Sequence, residues 1–229
     1  MKTLIKRLLR IINTFLYNLI VRNMTSKNSS FYFVKLHIEN TNSADFIKTD
    51  ISDSHIVETG TNNVILADHA SISNSIISIS GTNNKLILEP EVNLRSATIH
   101  IRGSNCTIKI GRGTSFGAIR IVNAGSNNNI VIGEYCAFSD FIELWASDTH
   151  SIYDSEGKFI NPERPIVIGD KVWVGSHVKI LKGVTIGSGA IIGMNTVVTK
   201  DVAPKTLNIG NPMRCIKEDI SWSLNYENE

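Results

Sequence analysis

IGDKVW VGSHVK ILKGVT IGSGAI IGMNTV VTKDVA, residues 168–203, decides the fold. These are six hexads without a break. The lead position holds Ile168, Val174, Ile180, Ile186, Ile192 and Val198, always Ile or Val. The fifth holds Val172, Val178, Val184, Ala190, Thr196 and Val202, always small or β-branched. A period of six suits a coil of three short flat strands: the lead aliphatic points inward, the small fifth residue sits beside it, and glycine eases the corner. The register runs backward through IGEYCA, FSDFIE and LWASDT, residues 132–149, which makes Cys136 core filler. The next lead slot is 150, where the aliphatic is replaced by His150. Ser151 to Pro165 follows, with turn formers and two prolines, and reads as a loop before Ile166 resumes the coil. His55 sits in a near-identical tetrapeptide, SDSH against SDTH, but has no hexads around it and no such loop after it.

A second, longer repeat lies upstream. Gly60, Gly81, Gly103 and Gly125 each open a Gly-x-Asn cluster followed by an alternating apolar strand. Their spacings of 21, 22 and 22 residues mark a solenoid of wider coils. Gly and Asn tolerate positive φ, so each cluster is a tight turn entering a strand. Stacked coils lie about 4.8 Å apart, close enough for successive Asn side chains to form a ladder.

The fold class expected is therefore an all-β solenoid, a parallel β-helix with an N-terminal amphipathic helix and a short C-terminal tail. Its expected parts are a basic helix over 1–27, a lead-in over 28–55, long-period coils over 56–150, a loop over 151–165, hexad coils over 166–203 and a C-terminal segment over 204–229. Composition agrees: only 7% of the chain is aromatic, and β-branched residues and turn formers abound. The three cysteines form no CxxC pair, which argues against a disulfide framework or zinc site and fits a reducing, cytoplasmic compartment.

Charge is uneven. Residues 1–27 hold six Lys or Arg and no acid, so the rest is net −4 within a chain of net +2. That acidic remainder argues against nucleic-acid binding. Residues 1–22 carry apolar residues at helical spacing, with basic residues on the other side. The apolar run is broken by Asn13, Thr14 and Asn18, which disfavours a spanning helix or a cleaved leader. Two readings stand: a helix lying on an anionic membrane at its inner face, or one packed on protein.

The stretch from Pro165 to Pro204, with GNPMRCIK at 210–217, resembles the hexapeptide-repeat acetyltransferases. The likeness is to galactoside and maltose O-acetyltransferases and to the capsule and O-antigen polysaccharide O-acetyltransferases. It rests on IGDKVWVGSH, VVTKD and GNPMR, and spans roughly residues 130–217. The resemblance implies a left-handed coil, acetyl-CoA as donor, a sugar or polysaccharide acceptor, no metal, and a homotrimer with sites between subunits. It makes His150 the general base, since an imidazole can take a hydroxyl's proton as the bond forms. It places Trp173 at the active-site wall and an oxyanion-facing backbone N–H at Ser176. Coenzyme A contacts carry onto Trp173, Ser176, Met194, Thr199, Lys200, Arg214 and Lys217, although relatives often have Gly or Ala where this chain has Met194. Glu143, Asp148 and Asp154 are candidates for orienting the His150 ring, with Trp145 beside them as a sugar platform or a plain exposed aromatic. The expected function is O-acetylation of a surface-glycan sugar by direct transfer. The alternatives are N-acetylation of an amino sugar nucleotide and a non-catalytic binding solenoid.

Overall fold

The structure is a computed structural model and describes residues 23–225. Those residues form a parallel β-solenoid of triangular section. Its first face stacks eight strands from Met24–Lys27 to Thr185–Ile186. The second face runs from Ser30–Tyr32 through Ile191–Ile192 and closes with Leu207–Ile209 and an antiparallel Arg214–Lys217. The third face runs from Lys35–Ile38 to Val197–Val198. The expected basic helix falls outside the described residues, apart from its last few, where Met24–Lys27 is a strand. Residues 28–55, expected as a lead-in, are coils: Ser30–Tyr32 pairs with Asp50–Ser52, and Lys35–Ile38 with His55–Glu58. That stretch lacks the Gly-x-Asn signal, yet its alternating apolar residues still fill the interior.

The hexad positions behave as their chemistry requires. Ile168, Val174, Ile180, Ile186, Ile192 and Val198 are all buried, as are Val172, Val178, Val184, Ala190, Thr196 and Val202. Each position repeats 18 residues later, as in Val167 with Thr185, Trp173 with Ile191 and Lys179 with Val197. Fully burying one such aliphatic is worth about 1.5–3 kcal/mol, so the interior column is the main source of stability.

The wide coils spend their extra residues on the third face. Strands Ala97–Ser104 and Ile119–Ser126 are eight residues long there, against three in Lys179–Leu181. The extension ends at the glycine stack. A Cβ on Gly103 would stand 1.9 Å from the Gly125 carbonyl oxygen, at a φ of +145° that side chains avoid. Two asparagine ladders follow. Inside, Asn42 Oδ1 accepts the Asn63 N–H, Asn63 Oδ1 the Asn84 N–H, and Asn84 Oδ1 the Cys106 N–H, at 2.9–3.0 Å. Outside, Asn83 Nδ2 donates to Asn105 Oδ1 and Asn105 Nδ2 to Asn127 Oδ1, both at 3.2 Å. The inner bonds satisfy backbone groups that the buried corner would otherwise strand, while the outer ones join exposed side chains.

One interior residue breaks the pattern. Glu58 lies between Ile38 and Ile79 in a buried column, and neither carboxyl oxygen has a partner. Burial pushes its carboxyl up to about 8.

Candidate active site

The coil opens where the two repeats meet. Strand Ile142–Trp145 pairs with Ile119–Ser126 above and Lys179–Leu181 below. After Trp145 the chain leaves the third face, at the point where the wide coils had continued it. The lead slot counted to residue 150 is filled instead by Ile168, eighteen residues on, in register with Ile132. His150 is thus not an interior residue. It stands exposed on the loop, because the chain turns outward at Asp148, once Ala146 and Ser147 have been buried, and not after His150.

The loop is a small built object. Asp154 Oδ1 accepts the N–H groups of Glu156 and Lys158 at 3.0 and 2.9 Å, closing its tip. Tyr153 bridges Phe159, and their rings lie 6.0 Å apart. Asn161 ties the return limb to the outgoing one. Its Oδ1 accepts the Ile152 N–H, and its Nδ2 donates to the His150 carbonyl at 2.9 Å and to Asp148 Oδ2 at 2.8 Å. Lys182, one coil below, pins both limbs: Nζ reaches Asp148 Oδ2 at 2.5 Å, the Asn161 carbonyl at 2.9 Å and the Pro162 carbonyl at 3.1 Å. These bonds fix the backbone from which His150 projects.

The three carboxylates considered for orienting the His150 ring are engaged elsewhere. Asp148 is held below the usual carboxylate range, first by Lys182 and also by Asn161. Asp154 caps the loop tip. Glu143 accepts from Lys179 Nζ at 2.7 Å and from the Trp145 indole N–H at 2.9 Å, which hold it ionised. Trp145 ends its strand on the third face, with the Arg120 guanidinium 5.3 Å from its ring centroid.

The remaining candidates fall on three sites of the prism. Thr199 and Lys200 close the third face below Leu181 and Lys182, at the same third-to-first edge from which the loop of His150 departs. Ser176 and Met194 share the second-to-third edge; Met194 is 65% exposed, and the Ser176 carbonyl accepts the Asn195 N–H at 3.0 Å. Trp173 begins the second face, in the column that continues through Ile191 and Leu207 to Lys217. Arg214 pairs with Ile209 in the same sheet. Lys200, Arg214 and Lys217 are exposed and carry no ion pair among the described residues. One chain therefore places His150 on one edge and Ser176 on another.

Sequence reasoning missed Trp222. The C-terminal segment turns back along the first-to-second edge, where the Ile220 N–H bonds the Lys205 carbonyl at 3.0 Å. The Trp222 indole N–H then bonds the Lys171 carbonyl at 2.7 Å, and its ring lies 6.1 Å from that of Trp173. No periodicity marks it; only its being one of three tryptophans could have drawn notice.

Among the described residues no cluster of three metal-ligating side chains occurs, and no helix is long and apolar enough to cross a membrane.

Comparison with known proteins agrees with the coils. Residues 165–200 match the bacterial transferase hexapeptide (six repeats) family. A polysialic acid O-acetyltransferase of Escherichia coli O1:K1 is 37% identical over 116 residues, covering 50% of this chain and 37% of that protein. The galactoside O-acetyltransferase of Escherichia coli K12 is 52% identical over 54 residues, covering 24% of this chain and 27% of that protein. The chain thus spans well under half the length of these sequence relatives. Among solved structures, the polysialic acid O-acetyltransferase OatWY superposes with a TM-score of 0.72 at 25% identity, covering 90% of this chain and 92% of its own. The polysialic-acid-specific acetyltransferase NeuO gives 0.70 at 26% identity, covering 90% of each chain. Six hexads buried in register over the matched stretch, and coils that superpose along most of their length, are thus what this chain shares with the hexapeptide-repeat acetyltransferases.

Proposed function

We propose that the chain transfers an acetyl group from acetyl-CoA to a hydroxyl of a sugar in a bacterial surface polysaccharide. The observation that carries this is His150, exposed on a loop that is pinned at its base and directly precedes the coil bearing Trp173 and Ser176. The names of the relatives, which are O-acetyltransferases of polysialic acid and of galactosides, support the reaction class.

The chain's groups divide the work. His150 accepts the proton of the attacking hydroxyl and hands it to the departing thiolate. The Ser176 N–H donates to the oxygen on which charge develops. No acyl-enzyme is needed, and burial pushes the Cys136 thiol up to about 11 and the Cys106 thiol upward, so neither supplies a thiolate at neutral pH. Lys200, Arg214 and Lys217, exposed and without carboxylate partners, suit the phosphates of the nucleotide. Coenzyme A supplies the activated acetyl thioester when bound. Because His150 and Ser176 lie on different edges of one prism, the working site forms between copies, and a trimer is the assembly we propose. The same reading includes the left hand of the coil, a basic helix that ends before the strand at Met24, and a cytoplasmic location. It leaves residues 1–22 free to touch the inner membrane face.

The test is thiol release from acetyl-CoA with oligosaccharide acceptors, read beside the mass gain of the product. His150→Ala should lower turnover by about 10²–10⁴-fold while CoA binding persists. Retention of most of the activity would overturn the assignment of the base.

A further inference from the structure

We propose that a groove on the third face, beside the second-to-third edge, holds one pyranose ring of the acceptor glycan stacked on Phe141. This rests on the acetyltransfer reading for its place in the reaction, but not for the binding itself. The groove has a volume of about 270 Å³ and is lined by Ser96, Thr98, Ala118, Arg120, Phe141 and Glu143. That is below the roughly 300–1,000 Å³ of pockets that take drug-sized ligands, and suits a single ring better than a nucleotide.

The solenoid does not require Phe141. It occupies an edge position at a φ of 59°, a conformation that bulky side chains avoid, and is 63% exposed. Between Phe33 of the first coil and Phe141, the same edge carries Asp53, Asn74 and Ser96, which are small or polar. Phe141 is also held flat. Its ring stacks on His177 at 4.9 Å with 20° between planes, which leaves the other face open.

The groove's polar wall is just as ordered. Thr98, Arg120, Glu143 and Lys179 are successive partners in one outward column of the third face. Glu143 spends one oxygen on Lys179 and the other on the Trp145 indole, so it is fixed and ionised yet keeps lone pairs for sugar hydroxyls. Arg120 is steadied over Trp145 and makes no ion pair among the described residues, so its donors remain for hydroxyls or a sugar carboxylate. An aromatic face, an ionised acceptor, a guanidinium donor and two hydroxyls in one small groove match the alternating apolar and polar faces of a pyranose. His177, which supports Phe141, follows Ser176 directly, so a ring seated here lies one coil from the residue assigned to the reacting carbonyl.

The experiment uses the full chain and two probes without acetyl-CoA: oligosialic acid, an acidic pyranose chain, and maltotetraose, a neutral one. Wild type should bind at least one, and a preference for the acid would assign Arg120 to its carboxylate. Phe141→Ala should weaken that binding by about tenfold while Phe141→Tyr retains it, with the solution mass unchanged for both. In turnover, Phe141→Ala should raise KM for the acceptor and leave KM for acetyl-CoA alone. The proposal is overturned if neither probe binds wild type, if Phe141→Ala binds as wild type does, or if it changes the oligomer's mass. A rise in KM for acetyl-CoA alone overturns it too. Phe141-dependent glycan binding by a protein that transfers no acetyl would keep the groove and remove the transferase reading.

Discussion

The wide coils over residues 60–132 and the hexad coils over residues 166–203 solve the same packing problem with different means. The hexad coils turn in 18 residues, with aliphatic and small side chains alone at their buried positions. The wide coils extend the third face, and the extension must be closed by a bare glycine stack and an internal amide ladder. The loop of His150 leaves the solenoid where one design gives way to the other. The extension's place in the coil is then taken by chain free to project outward. A change of coil width is thus a ready position for a functional loop, because the corner there is already released from the compact register.

If the two arrays differ in this way, their weak points differ. The largest effect is expected in the glycine stack. Gly103→Ala should destabilise the protein by more than about 3 kcal/mol, since a Cβ there meets backbone that cannot move without shifting a whole coil. Chemical denaturation would measure it, and a loss below about 1 kcal/mol would mean that the stack is slack.

Next comes Glu58, the polar intruder in the wide array's apolar column. Its carboxyl is raised from 4.5 to about 8 by burial. Between those values the unfolded chain has released a proton that the folded chain keeps, so this residue lowers stability as pH rises and levels off above about 8. Glu58→Leu should remove that slope and stabilise the protein near pH 8 by about 2–3 kcal/mol. Denaturation midpoints measured across that window decide; an unchanged slope would mean that the carboxyl is solvated.

A smaller effect tests the hexad array as the working half. Trp222→Ala should raise KM for acetyl-CoA by about fivefold to tenfold by freeing Trp173, with the unfolding midpoint unchanged and Trp222→Phe largely restoring it. Equal kinetics would make Trp222 a tether only. The smallest concerns the rung where the inner ladder substitutes sulfur for amide. Cys106→Asn should add about 1 kcal/mol by making to the Arg102 and Gly125 carbonyls the bonds that Asn84 makes to those of Ser80 and Gly103. Destabilisation would show that the corner has closed around the thiol.

Much of this was legible in the chain because a solenoid repeats. Hexad phase named every buried lead residue from Ile168 to Val198, and the Gly-x-Asn spacing located the tight turns and an asparagine ladder, though not that the ladder is double or that its inner rail begins at Asn42. Phase failed at the break. It placed His150 in a lead slot that Ile168 fills, because counting by sixes cannot tell where chain departs when an insertion is itself a multiple of the coil length. It also left Glu143, Asp148 and Asp154 as equal candidates beside His150. Their partners, Lys179, Lys182 and the turn at Glu156 and Lys158, follow from how the loop folds back.

What the sequence alone determined was periodic: the coil, its inward columns, its edges, and the histidine at the junction of two repeats. Periodicity determines which way a side chain faces, since each residue inherits the environment of the one a coil away. Only the tertiary structure decided the aperiodic contacts. These are Lys182 clamping the loop, Trp222 brought back against Trp173, and Phe141 stacked on His177 above an open groove. Each joins segments whose separation is set by a loop, a tail or a corner, and no repeat encodes that distance.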